Sequence, residues 1–245
     1  MAKGYDLEYV ELYWISLCIL LIVLCKRYFL PVLLFPPFFL IVSTMITILL
    51  GKKDYHRTNV KAFFHNYIKP KILGHKLPDY PSIIVANYPT TYLEYLANYL
   101  LSDNICILLY KGSFIQSRIV KYFYSSDQII FVGRGKEFVD TQIKVKSKID
   151  SGYTVLVYAE KRFYDRPSKY DISCLHSGIF SIAKNIKIPI TPIVFDHIDH
   201  DFGIVTNSNY KIYIDKPRYV TDVHKEMDTV SKLFRKKLRF FKIKL

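Results

Sequence analysis

The sequence predicts an α/β domain, a sheet flanked by helices, behind an amino-terminal hydrophobic helical membrane anchor. Three observations predict it. From Ser82 to Phe195, short β-branched runs alternate with stretches of helical spacing, the pattern of a largely parallel sheet. Asp150 to Phe195 reads as buried strand, charged loop, helix and buried strand. Ahead of Gly51 lie two apolar runs with only Lys26-Arg27 between them. The boundaries follow as 1–53 for the anchor, 54–222 for the α/β domain and 223–245 for a basic amphipathic carboxy-terminal helix.

The anchor comes first. Leu12 to Cys25 carries no charge over 14 residues, and Tyr28 to Leu50 is a second apolar run of 23 residues. The first spans ~21 Å as a helix, short of a ~30 Å hydrocarbon core; the second is long enough to cross. Pro31, Pro36 and Pro37 kink its first third. A hairpin that dips into one leaflet, or spans with difficulty, fits both runs. The acidic flank of Asp6, Glu8 and Glu11 is wrong for a cleaved signal peptide. Lys52, Lys53, Arg57 and Lys61 follow the second run, which places the domain on the cytoplasmic face.

Composition agrees with a membrane setting. Hydrophobic residues make up 51% of the 245, and 35 Lys and Arg against 21 Asp and Glu leave a formal charge of +14. Such an excess suits an anionic partner, a nucleic acid or an acidic lipid surface. The apolar runs and the lack of a nucleic-acid-binding motif argue for lipid and against nucleic acid. The four cysteines, Cys18, Cys25, Cys106 and Cys174, have neither metal nor disulfide spacing, so a reducing compartment is expected.

In the domain, Val60–Ile68 has the spacing of a short amphipathic helix, and Lys69-Pro70-Lys71 reads as a basic turn. Ser82–Ala86 is a buried strand that delivers Asn87 and Tyr88 to the next loop. Ile105–Tyr110 is a strand ending at Lys111, and Phe114–Tyr124 has helical spacing. Gln128–Val132 is a strand closed by Gly133-Arg134-Gly135, and Lys136–Ile149 is a helix. Thr154–Tyr158 is a β-branched strand opened by Ser151-Gly152, and a loop with Glu160, Lys161, Arg162, Asp165 and Arg166 follows it. Gly178–Asn185 is a helix, and Pro189–Phe195 returns as an apolar strand. Loops at the carboxyl ends of such strands meet ligands, and charges there favour an anionic substrate.

Three segments in this order resemble the glycerolipid acyltransferases of the lysophosphatidic acid acyltransferase type. Tyr158-Ala159-Glu160-Lys161-Arg162 stands where that family carries Phe-Pro-Glu-Gly-Thr-Arg. Leu175-His176-Ser177-Gly178-Ile179-Phe180 matches Phe-Lys-x-Gly-Ala-Phe, and Ile188-Pro189-Ile190-Thr191-Pro192-Ile193 matches Val-Pro-Ile-Val-Pro-Val. Lys111 and Ile130-Phe131-Val132-Gly133-Arg134 extend the similarity, which covers Ser82 to Phe195.

The resemblance implies a glycerol-3-phosphate acyltransferase-like sheet and a two-helix anchor. It also implies transfer of a fatty acyl group from acyl-CoA, as co-substrate, to lysophosphatidate or a related lysolipid. No other cofactor and no metal is implied. Asn87, Lys111, Arg134, Glu160 and Arg162 become the substrate-binding positions, with Glu160 and Arg162 holding the glycerol phosphate end. The catalytic positions become Tyr88 and Glu94.

Here the sequence departs from the family. The family's Asn-His-x-x-x-x-Asp places a His as general base and an Asp to orient it. This chain has Tyr88 for the His and Leu93 for the Asp, with Glu94 one residue later. A phenol titrates near 10, about three units above neutrality, and losing its proton at neutral pH costs ~4 kcal/mol. His176, on the second motif, is another candidate base. Two readings therefore stand: an acyltransferase with a substitute base, and a non-catalytic relative that binds lipid or acyl-CoA or acts as a scaffold. Loop charges of this kind also occur as solvated ion pairs of little energetic weight.

Two further stretches stand out. Asp196-His197-Ile198-Asp199-His200-Asp201 has metal-ligand residue types, but nothing is spaced to complete a site, and it reads as an exposed polar turn. From Ser231 to Leu245 run Lys232, Arg235, Lys236, Lys237, Arg239, Lys242 and Lys244 with no acid. Phe234, Leu238, Phe241 and Leu245 recur at helical spacing among them. This reads as an interfacial helix on anionic lipid, or as a terminal helix docked on the domain.

Overall fold

Continuous β-branched runs need both faces covered, and in the computed structural model they form the middle of one mixed sheet. The structure describes residues 61, 65, 69–88, 101, 104–110, 128–132, 136–160, 171–196, 200–201, 204–205 and 210–243. The expected anchor, the helix at Phe114–Tyr124 and most of that at Val60–Ile68 lie outside the described residues. Among the described residues, no helix is long and apolar enough to cross a membrane.

In chain order the strands are β1 (Lys71–Gly74), β2 (Ile83–Ala86), β3 (Ile105–Tyr110), β4 (Ile129–Val132), β5 (Thr154–Tyr158), β6 (Ile190–Phe195), β7 (His200–Asp201), β8 (Ile204–Val205) and β9 (Lys211–Ile214). The helices are α1 (Lys136–Asp150), α2 (Gly178–Ile186) and α3 (Val223–Ile243). Seven strands make the main sheet in the order β1-β9-β6-β2-β5-β3-β4, and β7 and β8 form a separate two-stranded ribbon. The five strands from β6 to β4 are mutually parallel. β9 turns antiparallel to β6, and β1 runs parallel to β9.

The sheet has two apolar faces because alternate residues of each strand point opposite ways. Ile83 and Val85 of β2, with Val155 and Val157 of β5, face a cluster completed by Phe180 of α2, Val145 of α1, and Val230, Phe234, Leu238 and Phe241 of α3. Ile84, Ala86, Leu156, Tyr158, Ile193 and Phe195 face the other way, with Tyr88 packed at the margin of their cluster. Pro192 lies inside a central strand, where a missing N–H normally disrupts the ladder. Its carbonyl still accepts the Asp215 N–H at 2.9 Å, just before the β6–β9 ladder.

Three expectations change. Lys69-Pro70-Lys71 is not only a turn: Lys71 opens edge strand β1, which is mostly exposed and so gives no apolar signal. A further strand, β9, joins the sheet beyond β6, with Tyr210, Ile212 and Ile214 buried at a period of two. The stretch after Phe195 is not simply an exposed turn. Asp196 is buried, pairs with the Lys211 ammonium at 3.6 Å, and its N–H donates to the Lys211 carbonyl at 2.9 Å. His200 and Asp201 are strand residues; His197 and Asp199 lie outside the described residues.

Gly74 closes the edge of the sheet at φ +89°, and a Cβ there would stand 2.2 Å from the Ile214 carbonyl oxygen. Neither the dihedral nor the contact tolerates a side chain. Gly74→Ala is expected to lose about 2–3 kcal/mol in urea denaturation monitored in mild detergent. A change within about 0.5 kcal/mol, the range of an ordinary surface substitution, would contradict this geometry.

Candidate active site

β2 and β5 are parallel neighbours with Ala86 opposite Tyr158, so the segments leaving their carboxyl ends start side by side. The Ala159 N–H donates to the Ala86 carbonyl at 3.0 Å, which carries the ladder one step further. Glu160 then bridges antiparallel to Leu175, and the His176 N–H donates to the Ala159 carbonyl at 2.7 Å. The first and second motifs are therefore laid against each other, beside Asn87 and Tyr88. Ligands of open α/β sheets are met at this edge.

Asn87 is 1% exposed, and its side-chain amide copies a backbone pairing. Nδ2 donates to the Phe195 carbonyl at 3.0 Å, and Oδ1 accepts the Phe195 N–H at 2.8 Å. This ties the end of β2 to the end of β6, beyond the last ladder pair of Ala86 with Ile193. The resemblance implies substrate contact for Asn87; in the structure both ends of its amide engage Phe195 and hold the two strand ends together.

Glu160 is the hub. It is 4% exposed, and Oε1 accepts the Tyr88 N–H at 2.8 Å. Oε2 accepts the Ser173 N–H at 3.1 Å and the Ser173 hydroxyl at 3.4 Å. A buried carboxylate that accepts backbone N–H groups fixes the segments that own them. The Glu160 carboxylate is turned inward and joins the post-β2 loop to the segment before α2. Ser173 was missed in the sequence, since nothing local marks a serine thirteen positions from its partner.

Tyr88 is half-buried, with its ring 6.0 Å from that of Tyr158 at an interplanar angle of 59°. Its main chain is thus held by Glu160 while its ring packs at the margin of the apolar cluster. His176 is exposed where the second motif meets the first. Glu94, Lys111, Arg134 and Arg162 lie outside the described residues. Among the described residues, no three His, Cys, Asp or Glu side chains are grouped to hold a metal ion.

The segment bearing Ser173 is tied in turn to α3. Asp171 accepts its neighbour's Ile172 N–H at 2.7 Å, Arg235 Nε at 3.1 Å, and lies 3.5 Å from an Arg239 nitrogen. Burial acts to raise the Asp171 carboxyl, but the Ile172 N–H and the two guanidinia outweigh it and hold it below the ordinary aspartate range. The carboxy-terminal helix is docked: Val230, Phe234, Leu238 and Phe241 are buried in the core. The apolar stripe expected to meet lipid is occupied by the protein itself, which leaves the opposite, basic face outward.

A seven-stranded mixed sheet with helices against it, and two motif segments joined at the carboxyl ends of its central strands, makes an acyltransferase-like fold. It is shared with a crystal structure, that of the 1-acyl-sn-glycerophosphate (LPA) acyltransferase from Thermotoga maritima. The likeness has a TM-score of 0.55 at 13% identity and covers 91% of this chain and 95% of that one. No family model and no curated protein sequence matches the chain. At that identity the likeness is one of fold.

Proposed function

We propose that this protein is a membrane-bound acyltransferase of phospholipid biosynthesis, moving a fatty acyl group from acyl-CoA to lysophosphatidate or a related lysolipid. Its domain faces the cytoplasm, and its partners are acyl-CoA and an anionic bilayer. In the step proposed, the acceptor hydroxyl oxygen bonds to the acyl carbon and the C–S bond of the thioester breaks. The C–S electron pair leaves on sulfur, and the hydroxyl proton passes to that thiolate to give the coenzyme A thiol. By resemblance, Tyr88 and Glu94 stand at the proton-transfer positions, and Lys111, Arg134 and Arg162 hold phosphate.

One observation carries this reading: the Glu160 carboxylate binds the Tyr88 N–H at 2.8 Å, fixing the position where the family keeps its base beside the motif that holds substrate. A second reading, binding without turnover, is favoured by the Tyr88 ring, which packs toward Tyr158 and the apolar cluster.

The test is release of coenzyme A from a long-chain acyl-CoA by the full chain in anionic vesicles, with and without lysophosphatidate. Acceptor-dependent release that disappears in Arg162→Ala is the expected result. Tight acyl-CoA binding with no release would transfer the conclusion to the binding module.

A further inference from the structure

We propose that the outward face of α3, formed by Lys232, Arg235, Lys236, Arg239 and Phe240, docks on the anionic surface of a lipid bilayer. The inference rests on the membrane setting of the proposed function and is independent of turnover.

The face is defined by helical spacing. Val230, Phe234, Leu238 and Phe241 turn one side of α3 into the core, and the five residues of the proposed surface recur on the other side. They line a shallow open groove of about 440 Å³. Phe240, 41% exposed, adds an apolar side chain to the four cations of the groove. Because the core stripe is already filled, the helix cannot sink its apolar face into lipid; it offers its charged face instead. Lys and Arg stems reach outward from such a face while their charges stay at headgroup level.

Among the described residues, two carboxylates answer the four cations. Asp228 pairs with Lys232 at 2.6 Å, with both side chains largely exposed. Asp171 meets Arg235 and Arg239 from beneath: its side chain is 17% exposed against 65% for Arg239. The internal carboxylate orients both guanidinia before any phosphate arrives, and the outward charge remains positive. Charge complementarity and the exposed aromatic select a lipid surface over an acidic protein. The long apolar run before Gly51 brings the chain to one.

The test is flotation of the full chain with phosphatidylcholine vesicles, with and without about a third of phosphatidylserine. Binding to neutral vesicles reports the apolar runs; the part of the gain on adding phosphatidylserine that substitutions in α3 remove reports α3. Replacing Lys232, Lys236 and Arg239 with Gln removes three exposed charges, with circular dichroism as the fold control. It is expected to cut that gain roughly a hundredfold, since each cation near an anionic surface contributes about a factor of five. Lys236→Arg with Arg239→Lys is expected to keep it. An unchanged gain in the triple variant overturns the inference. So does loss of binding to a single-stranded RNA oligonucleotide with vesicle binding intact. A protein that fails to turn over yet shows this charge-dependent gain refutes the acyl-transfer reading and leaves the docking face standing. An active protein whose vesicle binding ignores phosphatidylserine does the reverse.

Discussion

Glu160→Ala is expected to destabilise the domain by about 3–5 kcal/mol, because it leaves two backbone N–H groups without their acceptor. Ser173 is buried and Tyr88 half-buried, so water replaces the lost carboxylate poorly. The Ser173 hydroxyl loses the same partner. The effect is also structural: Glu160 is the side chain that joins the post-β2 loop to the segment before α2, at 2.8 Å on one side and 3.1 Å on the other. Amide hydrogen exchange should accelerate at Tyr88 and Ser173 together, while Val85 in the sheet interior keeps its protection relative to global stability. Glu160→Gln keeps one acceptor oxygen but turns an NH2 group toward an N–H donor, and should lose about 2 kcal/mol. A urea midpoint for Glu160→Ala that implies less than about 1 kcal/mol would remove the carboxylate from the centre of this site.

This prediction shows what the sequence could reveal. β2, β3, β5 and β6 were legible because fully buried strands of a parallel sheet are nearly continuous apolar runs. Helix α1 was legible from its spacing, and α2 from its small apolar residues after Gly178. Of the strands that were not legible, the two in the main sheet fail for different reasons. β1 is a polar edge strand whose backbone, not its side chains, joins the sheet. β9 does alternate, yet its buried Lys211 looks like a surface residue until Asp196 is seen beside it. The hydrogen-bond partners at the ends of β2 and β5 were not legible. Tyr158 to Arg162 announced a loop of interest, but only the fold shows that Glu160 faces inward to Tyr88 and Ser173. Asn87, likewise, pairs with a backbone 108 residues away, a separation that no local pattern reports. The salt link from Asp171 to Arg235 and Arg239 spans 64 residues to the first of them, and is equally invisible in one dimension.

Tyr88→His is expected to raise acceptor-dependent coenzyme A release by roughly a hundredfold or more at neutral pH, the lower range for a positioned general base. The main chain at this position is already held, by Glu160 through the Tyr88 N–H and by Asn87 through Phe195. An imidazole placed there inherits that geometry. Its proton exchanges near neutrality, where a phenol binds its own about three units too tightly. The substitution loses some packing, because the Tyr88 ring contacts Tyr158 and the margin of the apolar cluster, a loss of about 1 kcal/mol. That loss is small beside the kinetic gain, so the variant should remain folded at ordinary temperature. The pH profile discriminates further: release by the variant should level off near neutral pH, while release by the unaltered protein should keep rising into the alkaline range. Tyr88→Phe should abolish release if the phenol itself takes the proton. If Tyr88→His stays at background while binding acyl-CoA as tightly as before, a missing base is not what limits this site. The fold would then be serving as a lipid-binding surface, and the inward-facing Glu160 would be explained by stability alone.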